Sequence, residues 1–197
     1  MPSSNKCPMA RRRNGAIFSV FAVLVVALLC AGVTAGVHHG LAGAFEQSDL
    51  ALDEAKGGAQ RKLLFPDATS FESQSAPAVE GLNSVYKADT GAWVFDVTSA
   101  QGYHGDVELM IGINADGTVA GIQVVAEDET DGIGTNALTE EYFGGFAGSP
   151  AAGELTVDEA GAGQIHVDAV SGATFTSRAV VDCLNIAFAA YAQMGGN

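Results

Sequence analysis

Residues 107–125 read VELMIGINADGTVAGIQVV, and the alternation within them decides the fold. Val107, Leu109, Ile111 and Ile113 occupy every second position, which the two-residue repeat of a β-strand sends to one face. Asp116-Gly117 is a tight-turn pair, and Val119–Val125 supplies the returning strand. Upstream, Ala92–Thr98 predicts a further strand, so this part of the chain reads as an antiparallel β-meander. Downstream, Arg178–Gln193 places Val180, Leu184, Ala187, Phe188 and Tyr191 on one helical face. A sheet with one apolar face and a helix with one apolar stripe must bury them together, which predicts an α+β fold.

The intervening segments are less regular. Residues 45–64 predict a helix with a weak break at Gly57-Gly58, ended by Pro66. Residues 67–90, rich in Asp, Ser, Ala and Glu, show no period and read as loop. Glu127–Gly134 is an acidic loop with two glycines, and Asn136–Phe146 predicts a short helix anchored by Leu138, Tyr142, Phe143 and Phe146. Residues 147–163 read as loop with one strand near Leu155, and Gln164–Val167 as a short strand.

Charge divides the chain in two. Lys6, Arg11, Arg12 and Arg13 precede the first acid, Glu46, whereas the remainder holds five basic residues against all twenty-three acidic ones. So acidic a body repels nucleic acid, whose binding rests on neutralising phosphates, and disfavours anionic lipid surfaces for the same reason. Between the two parts, Ala16–Val37 runs twenty-two residues without a charge. At about 1.5 Å per residue it is long enough to cross a bilayer core. The arginines on its N-terminal side predict a cytoplasmic N-terminus and an extracytoplasmic main domain. Val33-Thr34-Ala35 leaves a cleaved signal peptide as the alternative, although the apolar run is long for one. The expected organisation is therefore a cytoplasmic N-terminus (1–15), one transmembrane helix (16–37), a membrane-proximal helix and linker (38–90), and an extracytoplasmic domain (91–197). Cys183 is the sole cysteine of that exported part, so no intramolecular disulfide is expected there, and a buried helix position suits it. His104 and His166 are isolated, and no spacing points to a metal.

Three segments are candidates for chemistry. Gly132-x-Gly134-x-x-Ala137 superficially fits a dinucleotide fingerprint, but its acidic neighbours Glu127, Asp128, Glu129 and Asp131 would repel a pyrophosphate. The same acids do not fall at calcium-loop positions. No Gly-x-Ser-x-Gly elbow is present. In contrast, Asp168-Ala-Val-Ser171-Gly172-Ala173-Thr174 places a hydroxyl among very small side chains just ahead of a helix. A helix start offers unpaired N–H groups to an anion. Arg178 is the one cation after Lys87, in a stretch with sixteen acids. A phosphate ligand suits that setting; so does a plain Ser/Thr-rich helix cap with Arg178 on the solvated face.

The segment Asp168–Thr174 resembles the Asp-x-x-Ser/Thr-Gly-Ala-Thr flavinylation motif of the FMN-binding domain family. That family includes the G subunit of the Rnf electron-transport complex and the C subunit of the sodium-translocating NADH:quinone oxidoreductase. Gly102-Tyr103-His104-Gly105 is similar to its Gly-Tyr-x-Gly segment, and Glu129-Thr130-Asp131-Gly132-Ile133-Gly134 to its Glu-Thr-Pro-Gly-Leu-Gly loop. An anchor helix ahead of an exported domain is shared as well, and the chain's compact length resembles the G subunit more than the C subunit.

The resemblance implies FMN held covalently by a phosphoester, transferred from FAD by a dedicated flavin transferase that uses Mg²⁺. Thr174 matches the acceptor position, and Thr176, outside the core motif, is the second choice. Gly172 and Ala173 would give the transferase room, Ser171 beside them is expected at the cofactor, and Asp168 would serve recognition or brace the loop. Glu129, Thr130, Gly132, Ile133 and Gly134 match the loop expected against the flavin; Arg178, from its place beside the helix start and not from the motif, is the candidate for the phosphate. Asp131 departs from the family's proline, and its added charge would disfavour an anionic reduced flavin. A tether also has a physical reason, since an exported protein cannot recapture a cofactor lost to open medium. The implied role is an electron-carrier subunit of a membrane ion-translocating oxidoreductase, with the other subunits as partners. The alternatives are a free-standing, membrane-anchored flavoprotein carrier and a cofactor-free tethered binding module.

Overall fold

The computed structural model describes residues 57–195. The segments expected as a cytoplasmic N-terminus and a transmembrane helix, and the first part of the expected membrane-proximal helix, lie outside them. Five strands follow one another as an antiparallel meander in sequence order: β1 (Phe71–Gln74), β2 (Leu82–Ala88), β3 (Trp93–Ser99), β4 (Val107–Ile113) and β5 (Val119–Ala126). The three strands expected from alternation are thus β3, β4 and β5. The turn between β4 and β5 closes as anticipated. Asp116 Oδ1 accepts from the Thr118 backbone N–H at 3.0 Å, and Gly117 takes φ 82°, which a side chain would resist.

Two strands correct the reading of residues 67–90 as loop and linker. β1 and β2 occupy much of that stretch and complete the sheet. Their sequences, FESQ and LNSVYKA, lack a clean period because β1 is a short edge strand with Glu72 and Ser73 exposed. A bulge between Leu82 and Ser84 further breaks the alternation of β2.

Both faces of the sheet are covered, which is why β3 and β4 are buried almost continuously rather than at every second residue. On one face Val85, Phe95, Val97, Leu109 and Ile111 pack with Val180, Leu184, Ala187 and Phe188 of the long helix α3 (Thr174–Gln193). On the other, Tyr86, Val94 and Met110 lie beneath Leu64 and Phe65 at the end of α1 (Gly58–Leu64). Arg61 of α1 is fully buried, with its guanidinium 4.0 Å from the centroid of the Tyr86 ring, a cation–π contact. Cys183 sits in the α3 core, and burial pushes its thiol well above the ordinary range, so the thiolate form is suppressed.

The segment Asn136–Phe146 is not one helix. A 3₁₀ turn (Gly134–Ala137) is followed by α2 (Glu140–Gly144), because Thr139 takes an extended conformation and restarts the helix, its hydroxyl accepting from Tyr142 N–H at 3.3 Å. β6 (Glu154–Thr156), near Leu155 as expected, pairs in parallel with β7 (Gln164–His166). Among the described residues no helix is long and apolar enough to cross a membrane.

The face on which Val94 and Met110 lie also carries Asp96, itself buried, beside Glu108, with Asn83 donating to Asp96 at 3.2 Å. Burial, and then the Asp96 carboxyl, push Glu108 above its ordinary value. Above its raised folded value Glu108 is charged in both folded and unfolded chains and the full penalty applies. Below its ordinary unfolded value it is protonated in both, and the penalty is absent. Glu108→Gln is therefore expected to raise the melting temperature at about pH 7, with the gain vanishing near pH 3. Calorimetry of both proteins at the two pH values checks this.

Candidate functional site

The site forms where three separate segments meet. Helix α3 begins at Thr174, four residues earlier than its apolar stripe alone indicates, so Thr174 is its first residue and is solvent-exposed. The residue before it, Ala173, has no side-chain acceptor to cap the first turn. The N–H groups of that turn, which no intrahelical carbonyl can reach, are therefore left to an incoming anion, with the helix dipole favouring negative charge. The preceding turn is tightly held: Ala173 N–H donates to Val170 O at 2.9 Å, and Val170 N–H donates to the buried Ser177 hydroxyl at 3.0 Å. Gly172 takes φ +82° in this turn, and a Cβ built on it would meet nothing within 4 Å. The chain beside the Thr174 hydroxyl is thus bare on its outer side.

Thr174 stands at a cleft of about 360 Å³ lined by Tyr103, Thr130, Ile133, Gly134, Gly172, Ala173, Phe175 and Thr176. Its rim keeps large apolar side chains in water: Tyr103 is 64% exposed, Ile133 54% and Phe175 53%. The Tyr103 and Phe175 rings lie 5.8 Å apart at a tilt of 47°. Exposed aromatic surface beside an uncapped helix start matches a ligand that is flat and apolar at one end and anionic at the other. FMN has that shape and charge, and the cleft volume lies in the usual range for small-molecule sites. The residues present therefore fit it. A larger groove of about 860 Å³ runs along α2 and β7, lined by Tyr142, Phe146, Leu155, Val167 and Phe188 among others. Volume alone would favour that groove, but it lacks the uncapped helix start with an exposed hydroxyl, and the chemistry selects the smaller cleft.

The structure brings most of the residues marked by the sequence into the cleft, and places others elsewhere. Thr130, Ile133 and Gly134 meet Gly172, Ala173, Thr174 and Thr176 there. Thr176 is only 1% exposed and its hydroxyl donates to Glu129 Oε2 at 2.8 Å, so it is poorly placed as an acceptor for a large group. Arg178 does not line the cleft. Its guanidinium pairs with Asp158, and that hydrogen bond holds the Asp158 carboxyl below its ordinary value. The cation expected beside the phosphate is held by a carboxylate from the loop after β6, with its guanidinium 5.7 Å from the centroid of the Phe175 ring at the cleft rim. Ser171 is exposed next to the cleft, and Asp168 is fully exposed with its carboxylate 3.5 Å from His166 Nε2, open to contact by another macromolecule. Gly132 lies in the loop, its N–H donating to Thr135 Oγ1 at 2.9 Å.

Glu129 is behind the cleft rather than in it. It is 8% exposed; its Oε1 accepts from the Tyr103 backbone N–H at 2.7 Å, and its Oε2 from Thr176. Gly134 makes this possible, because a Cβ there would lie 2.3 Å from Glu129 Oε2 and 3.0 Å from Thr176 Oγ1. Gly134→Ala is accordingly expected to displace the carboxylate, at a cost on the order of 1–3 kcal/mol, and to weaken flavin loading. Urea titration together with in-gel flavin fluorescence reads both effects. Sequence reading does not single out Tyr103 or Phe175 for the site. Tyr103 lies in the Gly-Tyr-x-Gly segment, the one signal able to find it, whereas Phe175 follows the motif threonine without any mark of its own.

A model of the FMN-binding domain matches residues 102–189, which contain the whole cleft. Over 185 residues the chain is 30% identical to the G subunit of an ion-translocating oxidoreductase complex from Pseudoalteromonas atlantica, covering 87% of this chain and 84% of that one. It is 27% identical over 190 residues to the G subunit of the Na⁺-translocating ferredoxin:NAD⁺ oxidoreductase complex of Acetobacterium woodii, covering 87% and 89%. A solved structure, the C subunit of the Na⁺-translocating NADH-quinone reductase from Parabacteroides distasonis, is similar at 22% identity and TM-score 0.44, over 57% of this chain and 61% of that one. The chain belongs to the FMN-binding domain family, in the group of G subunits of ion-translocating oxidoreductase complexes.

Proposed function

We propose that this chain is an electron-carrier subunit of a membrane ion-translocating oxidoreductase of the Rnf type, holding FMN through a phosphoester to Thr174. The observation that carries the reading is the exposed Thr174 hydroxyl, first residue of an uncapped helix, at the mouth of a cleft rimmed by aromatic rings. The similarity to G subunits of such complexes supports the assignment to a multi-subunit assembly.

Attachment balances as a transesterification at phosphorus. The Thr174 oxygen forms a bond to the FMN phosphorus of FAD, the pyrophosphate bond breaks, and AMP leaves as the threonine proton is lost. A flavin transferase with Mg²⁺ performs this step, and Asp168, exposed ahead of the motif turn, is available to it. Once bound, the flavin supplies one- and two-electron redox chemistry; the protein supplies position and electronics. The first turn of α3 would offer its N–H groups to the phosphate. Tyr103, Ile133 and Phe175 would offer apolar surface to the ring system, and the wall made by Thr130 and Gly134 would screen one side from water. The twenty-two-residue apolar run is the anchor in this reading, with the N-terminus cytoplasmic and the cleft extracytoplasmic.

Co-expression with a flavin transferase, followed by denaturing electrophoresis, tests the attachment. A fluorescent flavin band at the mass of the chain supports it, and a dark band rejects it. Purification from native membranes tests the assembly: partner subunits that co-purify support it, and a lone chain favours a free-standing carrier.

A further inference from the structure

We infer that Glu129 is the positioning residue of the cleft: its one buried carboxylate ties three wall segments together, and its charge lowers the potential of the flavin held there. The inference rests on the flavin reading above for its second half, while the first concerns the polypeptide alone. Oε1 takes the Tyr103 N–H at 2.7 Å, with the His104 N–H at 3.4 Å, and so holds the loop between β3 and β4. Oε2 takes the Thr176 hydroxyl at 2.8 Å and so holds the first turn of α3. The backbone of Glu129 itself starts the loop that carries Thr130, Ile133 and Gly134. Among the described residues no other side chain of the cleft joins all three segments by hydrogen bonds.

The glycines show how closely the surroundings are shaped to this group. A Cβ on Gly102 would lie 2.6 Å from Oε1, and one on Gly134 2.3 Å from Oε2. Backbone therefore closes on the carboxylate from two sides, leaving space for no larger residue. Its hydrogen-bond partners are backbone N–H groups and a hydroxyl rather than a cation. Among the described residues no ion pair neutralises its negative charge, and it lies just behind Gly134, a residue of the cleft wall. In a partly desolvated site a fixed negative charge opposes the addition of electrons to a neighbouring group. Glutamine has nearly the same shape and can accept from Tyr103 through its oxygen while donating to the Thr176 hydroxyl through its amide. Glu129→Gln therefore separates charge from bracing, and Glu129→Ala removes both.

The test uses the full chain in detergent, with and without co-expressed flavin transferase. In the flavin-free proteins, hydrogen exchange read by mass spectrometry is expected to speed up at least tenfold at residues 102–105 and 130–135 in Glu129→Ala. β4 should be unchanged, and Glu129→Gln should largely restore protection. In the flavin-loaded proteins, Glu129→Gln is expected to raise the midpoint potential by a tenfold shift of the two-electron equilibrium, about 30 mV. Exchange at 102–105 and 130–135 that is the same in wild type and Glu129→Ala would overturn the bracing role. A potential unmoved by Glu129→Gln would overturn the electrostatic one. Should Glu129→Ala unfold throughout, Thr176→Val, which removes the donor to Oε2 only, must still speed exchange at 130–135, the loop whose tie to α3 it cuts, if the proposal holds. A wild-type chain that takes no flavin counts against the proposed function, and the exchange comparison then still decides the brace.

Discussion

Thr174→Ala is expected to abolish the covalent flavin, leaving no in-gel fluorescence above background, while Thr176→Val keeps a fluorescent band. The two threonines are two residues apart and chemically identical, so only their surroundings distinguish them. Thr174 opens α3 with its side chain in solvent, next to a turn where Gly172 presents no side chain. Thr176 is buried and its hydroxyl is already committed to Glu129. A transferase must bring a dinucleotide to the accepting oxygen, and it can do so at an exposed first-turn residue but not at one packed behind the wall. The effect is all-or-none because no covalent bond forms without that oxygen. Equal loss of fluorescence in Thr176→Val, with the exchange pattern of the sheet intact, would contradict the distinction.

Phe95→Ala is expected to destabilise the folded domain by about 3–5 kcal/mol, with flavin attachment lost only as far as the chain unfolds. Phe95 is fully buried at the centre of the α3-facing side of the sheet and meets the edge of the Tyr191 ring, with centroids 6.2 Å apart. Truncation removes its transfer free energy and leaves a cavity between β3 and α3 that two rigid elements cannot collapse upon. Trp93, the sole tryptophan, stacks 6.4 Å from Phe95 and reports the transition by its emission in urea. A loss below about 1 kcal/mol would mean that the helix does not pack on the sheet as described.

How much of the molecule is legible in its sequence follows from the range of the interactions concerned. β4 and β5 stand out because their apolar residues alternate locally and Asp116-Gly117 marks the turn between them. β1 and β2 do not, since a four-residue edge strand and a bulged neighbour carry no usable period. The break between the 3₁₀ turn and α2 depends on Thr139 competing as a cap, a local signal that the apolar spacing around it masks. At the site, the motif identifies Thr174 by resemblance, whereas its uncapped helix and exposed aromatic rim are tertiary facts. Tyr103 and Phe175 are far apart in the chain and become neighbours only when β3, β4 and α3 are assembled. Arg178 shows the opposite case: a cation close to the motif in sequence is taken by Asp158, from a loop whose path the local pattern does not reveal. Resemblance sets Glu129 against the flavin as part of its loop, but burial behind Gly134 makes it a brace instead.

The proposed function comes down to a bond between one oxygen and one phosphorus, and peptide mass spectrometry of the chain purified from native membranes reads that bond itself. A proteolytic peptide spanning Asp168–Arg178 is expected to carry the mass of FMN less one water, with fragmentation placing the addition on Thr174. The unmodified peptide alone, or an addition placed on Ser171, Thr176 or Ser177, would contradict it.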